Sequence, residues 1–250
     1  MLHVDAHIKY KCRKRQEHIM NYRLTQSTAF PLVEVTLMRG EEIQIEHGSM
    51  VYHSGDVTLE GKMNSSSGGL GGFVKAMGRS MVSGESFFIT RAKGLNDGAR
   101  IALAPGTPGA IRELRLGAQQ WRIRDQAFLA CDGGVSYEMK RQSFGKAFFG
   151  GTGGFFVMES LGTGSMLINS YGDIQEIQMN GTAPFVVDNT HVVAWSSTLD
   201  YNIKVASGTF GFTTGEGLVN EFRGNGTVLI QTRNIKSLAD VLNPFMSKGS

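Results

Sequence analysis

One pattern constrains this chain more than any other. A run of alternating apolar and polar residues stops at a small-residue kink and resumes, and it does so three times. The clearest copy is 190–205, THVVAWSSTLDYNIKV. The others are 49–62, SMVYHSGDVTLEGK, and 127–140, AFLACDGGVSYEMK. Val57, Val135 and Leu199 align at offsets of 78 and 64 residues, as do Leu59, Tyr137 and Tyr201. Alternation with a period of two belongs to a strand with one buried face. A strand pair that recurs is the mark of a repeat architecture.

The flanking sequence extends each copy into a unit. In the first, Val33, Val35 and Leu37 precede 41–46, EEIQIE; the kinked stretch, a Gly-rich segment (64–78) and 86–91, SFFITR, follow. Leu114, Leu116, Trp121 and Ile123 open the second, which continues through a Gly-rich segment at 143–154 to 165–169, SMLIN. Ile174, Ile177–Met179, Phe185 and Val187 open the third, which ends at 227–231, TVLIQ. The first unit is longer, and 100–104, RIALA, with the turn PGTPG after it, reads as an inserted strand. The 33 glycines and only 5 prolines suit tight turns between short strands. A single helix is expected near the C-terminus, with Leu238, Val241 and Leu242 on one face, Ser237 as its cap and Pro244 as its stop.

The predicted class is therefore all-β. Three similar units (about 32–110, 111–173 and 174–234) are related by internal pseudo-threefold symmetry in a β-sandwich or double-stranded β-helix, with a helix over 235–243. Each unit has one apolar stripe per strand to bury, so residues 20–250 read as one domain around one shared interior. Residues 1–19 form a basic leader, disordered or peripheral. They hold Lys9, Lys11, Arg13, Lys14 and Arg15 against Asp5 and Glu17. The remainder carries 20 basic and 20 acidic residues, a balance that disfavours nucleic acid. The two cysteines, Cys12 and Cys131, exclude a disulfide framework and suit a reducing, cytoplasmic setting. No apolar run reaches membrane-spanning length.

Three segments carry a more specific likeness: 84–91 (GESFFITR) with 101–114 (IALAPGTPGAIREL), 184–201 (PFVVDNTHVVAWSSTLDY) and 215–234 (GEGLVNEFRGNGTVLIQTRN). Together they resemble the family of uncharacterised bacterial and archaeal proteins that also includes the mitochondrial "altered inheritance of mitochondria" biogenesis protein. The likeness spans roughly residues 20–245. It implies a fold similar to that of the tryptophan-RNA-binding attenuator protein, and a link to inner-membrane organisation through the mitochondrial member. It implies no catalytic residues.

Equivalent positions in the three copies separate chemical from structural residues. His53, Cys131 and Trp195 fall at equivalent places, and a ligand or catalytic group is not interchangeable with Trp. They read as three half-buried strand positions. His47 and His53 lie six residues apart, too few ligands for a metal site. The Gly-rich segments lack the phosphate-loop and dinucleotide spacings. No cofactor, metal or catalytic residue is assigned. The same segments hold apolar side chains suited to contact: Leu70, Phe73, Met77, Phe148, Phe149, Phe155, Phe156, Phe210 and Phe212. The function expected is a non-enzymatic binding or scaffolding module acting as a homo-oligomer. Contact with a membrane surface through the Gly/Phe loops is one alternative, and RNA binding by fold analogy is another. No small-molecule ligand is legible.

Overall fold

The kink in each repeated stretch is where the chain leaves one sheet and enters another. A computed structural model of the chain describes residues 19–25, 29–63, 88–141, 156–206 and 217–246. Among the described residues, a lead strand, β1 (Asn21–Leu24), precedes eighteen others that fall into three sets of six. The first unit is β2 (Val33–Leu37), β3 (Glu42–Glu46), β4 (Met50–His53), β5 (Val57–Met63), β6 (Phe88–Gly94) and β7 (Ala99–Leu103). The second is β8 (Ile111–Leu116), β9 (Trp121–Arg124), β10 (Phe128–Asp132), β11 (Ser136–Arg141), β12 (Phe156–Leu161) and β13 (Gly164–Asn169). The third is β14 (Ile174–Asn180), β15 (Phe185–Asp188), β16 (Val192–Ser196), β17 (Asp200–Val205), β18 (Leu218–Arg223) and β19 (Asn225–Gln231).

Every unit follows one pairing plan. Its first, sixth and third strands form one antiparallel half-sheet; its fourth, fifth and second form the other. The plan repeats in detail. The third strand shifts register by one residue between Met50 and Tyr52, between Phe128 and Ala130, and between Val192 and Ala194. A β-bulge at one place in all three copies bends each third strand alike. At the kink, the side-chain oxygens of Ser54, Asp132 and Ser196 accept from the backbone N–H of Arg100, Ser165 and Thr227, at 2.9, 2.6 and 2.8 Å. The repetition lies in strand order, pairing and these local bonds.

The units are joined by strand pairing. β3 of the first pairs with β10 of the second, and β9 of the second with β16 of the third. Two six-stranded sheets result, β5-β6-β3-β10-β13-β8 and β11-β12-β9-β16-β19-β14. The ends are smaller sheets, β1-β2-β7-β4 and β15-β18-β17. The connections β3–β4, β9–β10 and β15–β16 are short, which sends each third strand out of its neighbours' plane.

The apolar residues settle into three clusters rather than the single interior expected. Val57 is buried with Val33, Val35 and Leu37; Val135 with Phe128, Ile123 and Met158; Leu199 with Trp195, Phe222 and Val228. Each cluster gathers chiefly one unit's strands, and side chains of a neighbouring unit complete it: Leu129 lies in the first cluster and Val193 in the second. Val57, Val135 and Leu199 thus occupy equivalent surroundings, as their alignment predicts.

Two strand readings are corrected. The segment 100–104 is not an insertion: β7 is the sixth strand of its unit, matching β13 and β19. The extra length lies between β5 and β6, where the connection 64–87 exceeds its counterpart 142–155. The helix, α1 (Ile235–Leu242), is present. Its cap is Asn234, whose side chain accepts from Ser237 N–H at 2.8 Å, so Ser237 lies inside the first turn. Pro244 does not stop the chain abruptly, since a 3₁₀ turn covers Asn243–Phe245.

The third core is built on an aromatic trio, with Trp195 edge-on to Tyr201 at 4.8 Å and 5.5 Å from Phe222. Phe222 has no exposed surface. Phe222→Ala is expected to cost about 3–5 kcal/mol, read by denaturant unfolding.

Candidate functional site

Among the described residues, no three of His, Cys, Asp and Glu come together as metal ligands do. The titratable groups that are buried serve the fold. Burial, reinforced by the neighbouring Asp132 charge, pushes the Cys131 thiol far above its ordinary value. Burial also raises Asp132, against the backbone N–H groups of Ser165 and Met20 that donate to its two oxygens. His191 is bound on both ring nitrogens, by Gln231 O at 2.7 Å and the Asn234 side chain at 2.9 Å. It positions the helix cap and offers no free nitrogen.

Most of the apolar contact residues expected from sequence, Leu70, Phe73, Met77, Phe148, Phe149, Phe155, Phe210 and Phe212, lie outside the described residues. Phe156 is described: it is half-buried at the start of β12, opposite Arg141. The reading of His53, Cys131 and Trp195 as three half-buried positions is corrected. Cys131 and Trp195 are fully buried, and His53 is exposed. The reason is topological. β10 and β16 each have a strand on both sides, whereas among the described residues β4 has β7 alone.

That asymmetry locates the surface of interest. Second strands β3 and β9 are paired on both sides, but among the described residues their counterpart β15 pairs with β18 alone. Hence β4 and β15 are edges at opposite ends of the strand order, each lacking the neighbour its equivalents possess. The side chains register the loss. All four residues of β4 are exposed, with Val51 at 53% and Tyr52 at 44%. Their counterparts Leu129, Ala130, Val193 and Ala194 are buried. On β15, Val186 is 49% exposed, and Phe185 and Val187 are only half-buried. Their counterparts Ile43, Ile45, Trp121 and Ile123 are buried. After β19, α1 exposes Ile235, Leu238, Val241 and Leu242, followed by Phe245 and Met246.

β4 is nonetheless held in place. Tyr52 donates its hydroxyl to Glu34, which also meets Arg23 at 2.8 Å. The Tyr52 hydrogen bond holds the Glu34 carboxyl below its ordinary value, helped by Arg23 and Arg100 and opposed by burial. Elsewhere Lys140 pairs with Glu159 and Lys204 with Glu221 across equivalent strand pairs, an ordinary use of charge on a solvated sheet face.

The sequence carries only a partial signal for these edges. Position 186 is Val where its counterparts are Gln44 and Arg122, and position 51 is Val on a strand that turns out to be exposed. Only the pairing shows that these two strands lack neighbours.

Comparison with known proteins agrees with this picture of an all-β chain. The family model described as "Mitochondrial biogenesis AIM24" matches residues 22–233. An uncharacterised protein of Streptococcus pyogenes serotype M6 is 48% identical over 238 residues, covering 95% of each chain. An X-ray crystal structure of another Streptococcus pyogenes protein is similar with a TM-score of 0.75 at 46% identity, covering 91% of this chain and all of that one. No helix among the described residues is long and apolar enough to cross a membrane.

Two outcomes are expected. A thiol reagent should leave Cys131 unmodified in the folded chain and reach it on denaturation, because burial keeps the thiol protonated and covered. Acid should weaken the β4 attachment. With a folded pKa below the unfolded one, Glu34 contributes stability above the ordinary carboxylate range and loses it as pH falls through the lowered value. Thermal melts of Glu34→Gln should lack that part of the acid dependence.

Proposed function

Since the chain belongs to the mitochondrial biogenesis AIM24 family, whose relatives described above bear no named activity, we propose that it is a non-catalytic scaffold working as an assembly of its own copies. The observation that carries this reading is the pair of unmatched edges. β4 and β15 expose apolar side chains at positions whose counterparts are covered by a neighbouring unit. An exposed strand edge with apolar residues is a template for further pairing, and solitary proteins blunt such edges with charge, proline or a bulge. The bulge in β4 is shared by β10 and β16, which pair on both sides, and Met50, Val51 and Tyr52 on one edge and Val186 on the other present apolar side chains. The covered titratable groups support the same reading, because buried Cys131 and Asp132 and half-buried His191 are each tied into the fold. What the assembly holds or organises is a matter of its outer surfaces, including the apolar face of α1.

Light scattering of the full chain across micromolar concentrations tests this. The expected mass is a multiple of 27.2 kDa. A monomer throughout that range would overturn it.

A further inference from the structure

We infer that α1 (Ile235–Leu242) pairs antiparallel with α1 of a second copy, along the row Ile235, Leu238, Leu242 and Phe245. The inference rests on the reading that the chain meets its own copies, but it uses a surface apart from any strand edge. At 3.6 residues per turn, Ile235, Leu238, Ala239, Val241 and Leu242 fall within an arc of about 160°, and Lys236, Ser237 and Asp240 fill the rest. An apolar arc of that width is one a helix buries against a neighbour. Among the described residues it has found none. No side chain of α1 is buried, and the three apolar clusters contain none of its residues. Exposure runs from 38% at Leu238 to 84% at Phe245 in the turn that follows.

The cap holds the helix at its start. Asn234 meets His191 Nε2 at 2.9 Å through its side-chain nitrogen, and its side-chain oxygen accepts Ser237 N–H at 2.8 Å. The direction in which α1 leaves the body is fixed there. Eight residues are too few for a helix to persist on propensity alone, so the cover it lacks in its own chain is what a partner supplies.

The sequence of α1 selects a copy of itself as that partner. Spacings of three, four and three residues make the apolar row of a two-helix seam. Leu242 and Asn243 keep right-handed helical dihedrals into the 3₁₀ turn, so Phe245 extends the row. The positions flanking it, Ala239 and Val241, are uncharged, and nothing there repels an identical face. Charge sets the direction. The first turn holds Lys236 and no acid, and the last turn has no basic residue, so Lys236 and its ion-pair partner Asp240, at 2.8 Å, each stand at the disfavoured end of their own helix dipole. Antiparallel pairing brings each Lys236 beside the carbonyl end of the other helix, whereas parallel pairing would set the two lysines together. The two-fold axis then passes at the level of Asp240, with Leu238 opposite Leu242 and Ile235 opposite Phe245. Two turns cover less than the roughly 800 Å² per partner of a standard interface. The contact therefore adds to an assembly held by other surfaces, where effective concentration is high.

Disulfide trapping between two kinds of chain tests this. Both carry Cys12→Ser, with Cys131 buried. One is tagged and carries Leu238→Cys; the other carries Leu242→Cys. Mild oxidation of the mixture is expected to give tagged–untagged covalent dimers at about tenfold the yield of covalent dimer from either chain alone. Within one kind of chain, the two thiols are displaced by about 6 Å along the axis. Adding Ile235→Asp to both chains should cut the yield by about tenfold, although an acid in the first turn suits the helix itself. A chain that assembles by light scattering but gives no mixed dimer overturns the inference and leaves self-assembly standing. Equal yields from the single chains overturn the antiparallel register. Flotation with phosphatidylcholine vesicles that Ile235→Asp abolishes, without a mixed dimer, assigns the face to lipid and overturns the pairing. A chain that stays monomeric and gives no mixed dimer overturns both readings.

Discussion

Backbone pairing across unit boundaries is the constraint on which the rest depends. Each unit has two half-sheets of three strands, and an isolated three-stranded half-sheet leaves two edges of unpaired N–H and C=O groups. Joining β3 to β10 and β9 to β16 removes four of those edges and turns half-sheets into six-stranded sheets. The same joins place Leu129 in the core of the first unit and Val193 in that of the second. One set of hydrogen bonds thus determines both sheet continuity and which side chains complete which core.

The joins persist because small local features recur with them. A bulge at Met50, Phe128 and Val192 re-aims each third strand out of its own unit. Ser54, Asp132 and Ser196 then anchor the turn that follows. Gly133 is required where the chain passes Glu42, since a Cβ there would lie 2.4 Å from the Glu42 carbonyl oxygen. Asp132 differs from its serine counterparts by also accepting Met20 N–H, which ties the lead segment to the second unit. The repeats are thus similar in plan and individual in detail, and the individual features fall where one unit meets something its counterparts do not.

Much of this plan was legible. The alignment of Val57, Val135 and Leu199 needs only period-two alternation, which a half-buried strand imposes on its side chains. The strands that escaped, β12 and β18, follow Gly-rich segments, and their apolar residues looked like parts of those segments. Phe156 illustrates it: read as a contact residue in a loop, it begins a strand. In the sequence β7 reads as an insertion because the connection 64–87, which holds the extra length, carries no alternation of its own. The candidate surface was less legible still. His53, Cys131 and Trp195 align perfectly, yet exposure separates them, because burial depends on a strand far away in the chain.

The sequence by itself determined the class of the protein, the threefold repetition of its kinked strand pair and the residues that line its cores. Those properties follow from local alternation and from turn chemistry, which neighbouring residues decide. Only the tertiary structure decided that the interior divides in three, that β3 and β9 find partners in the following unit, and that β4 and β15 find none among the described residues. Pairing between strands is a choice among edges of nearly equal backbone chemistry, and nothing in an isolated strand records which edge it will meet.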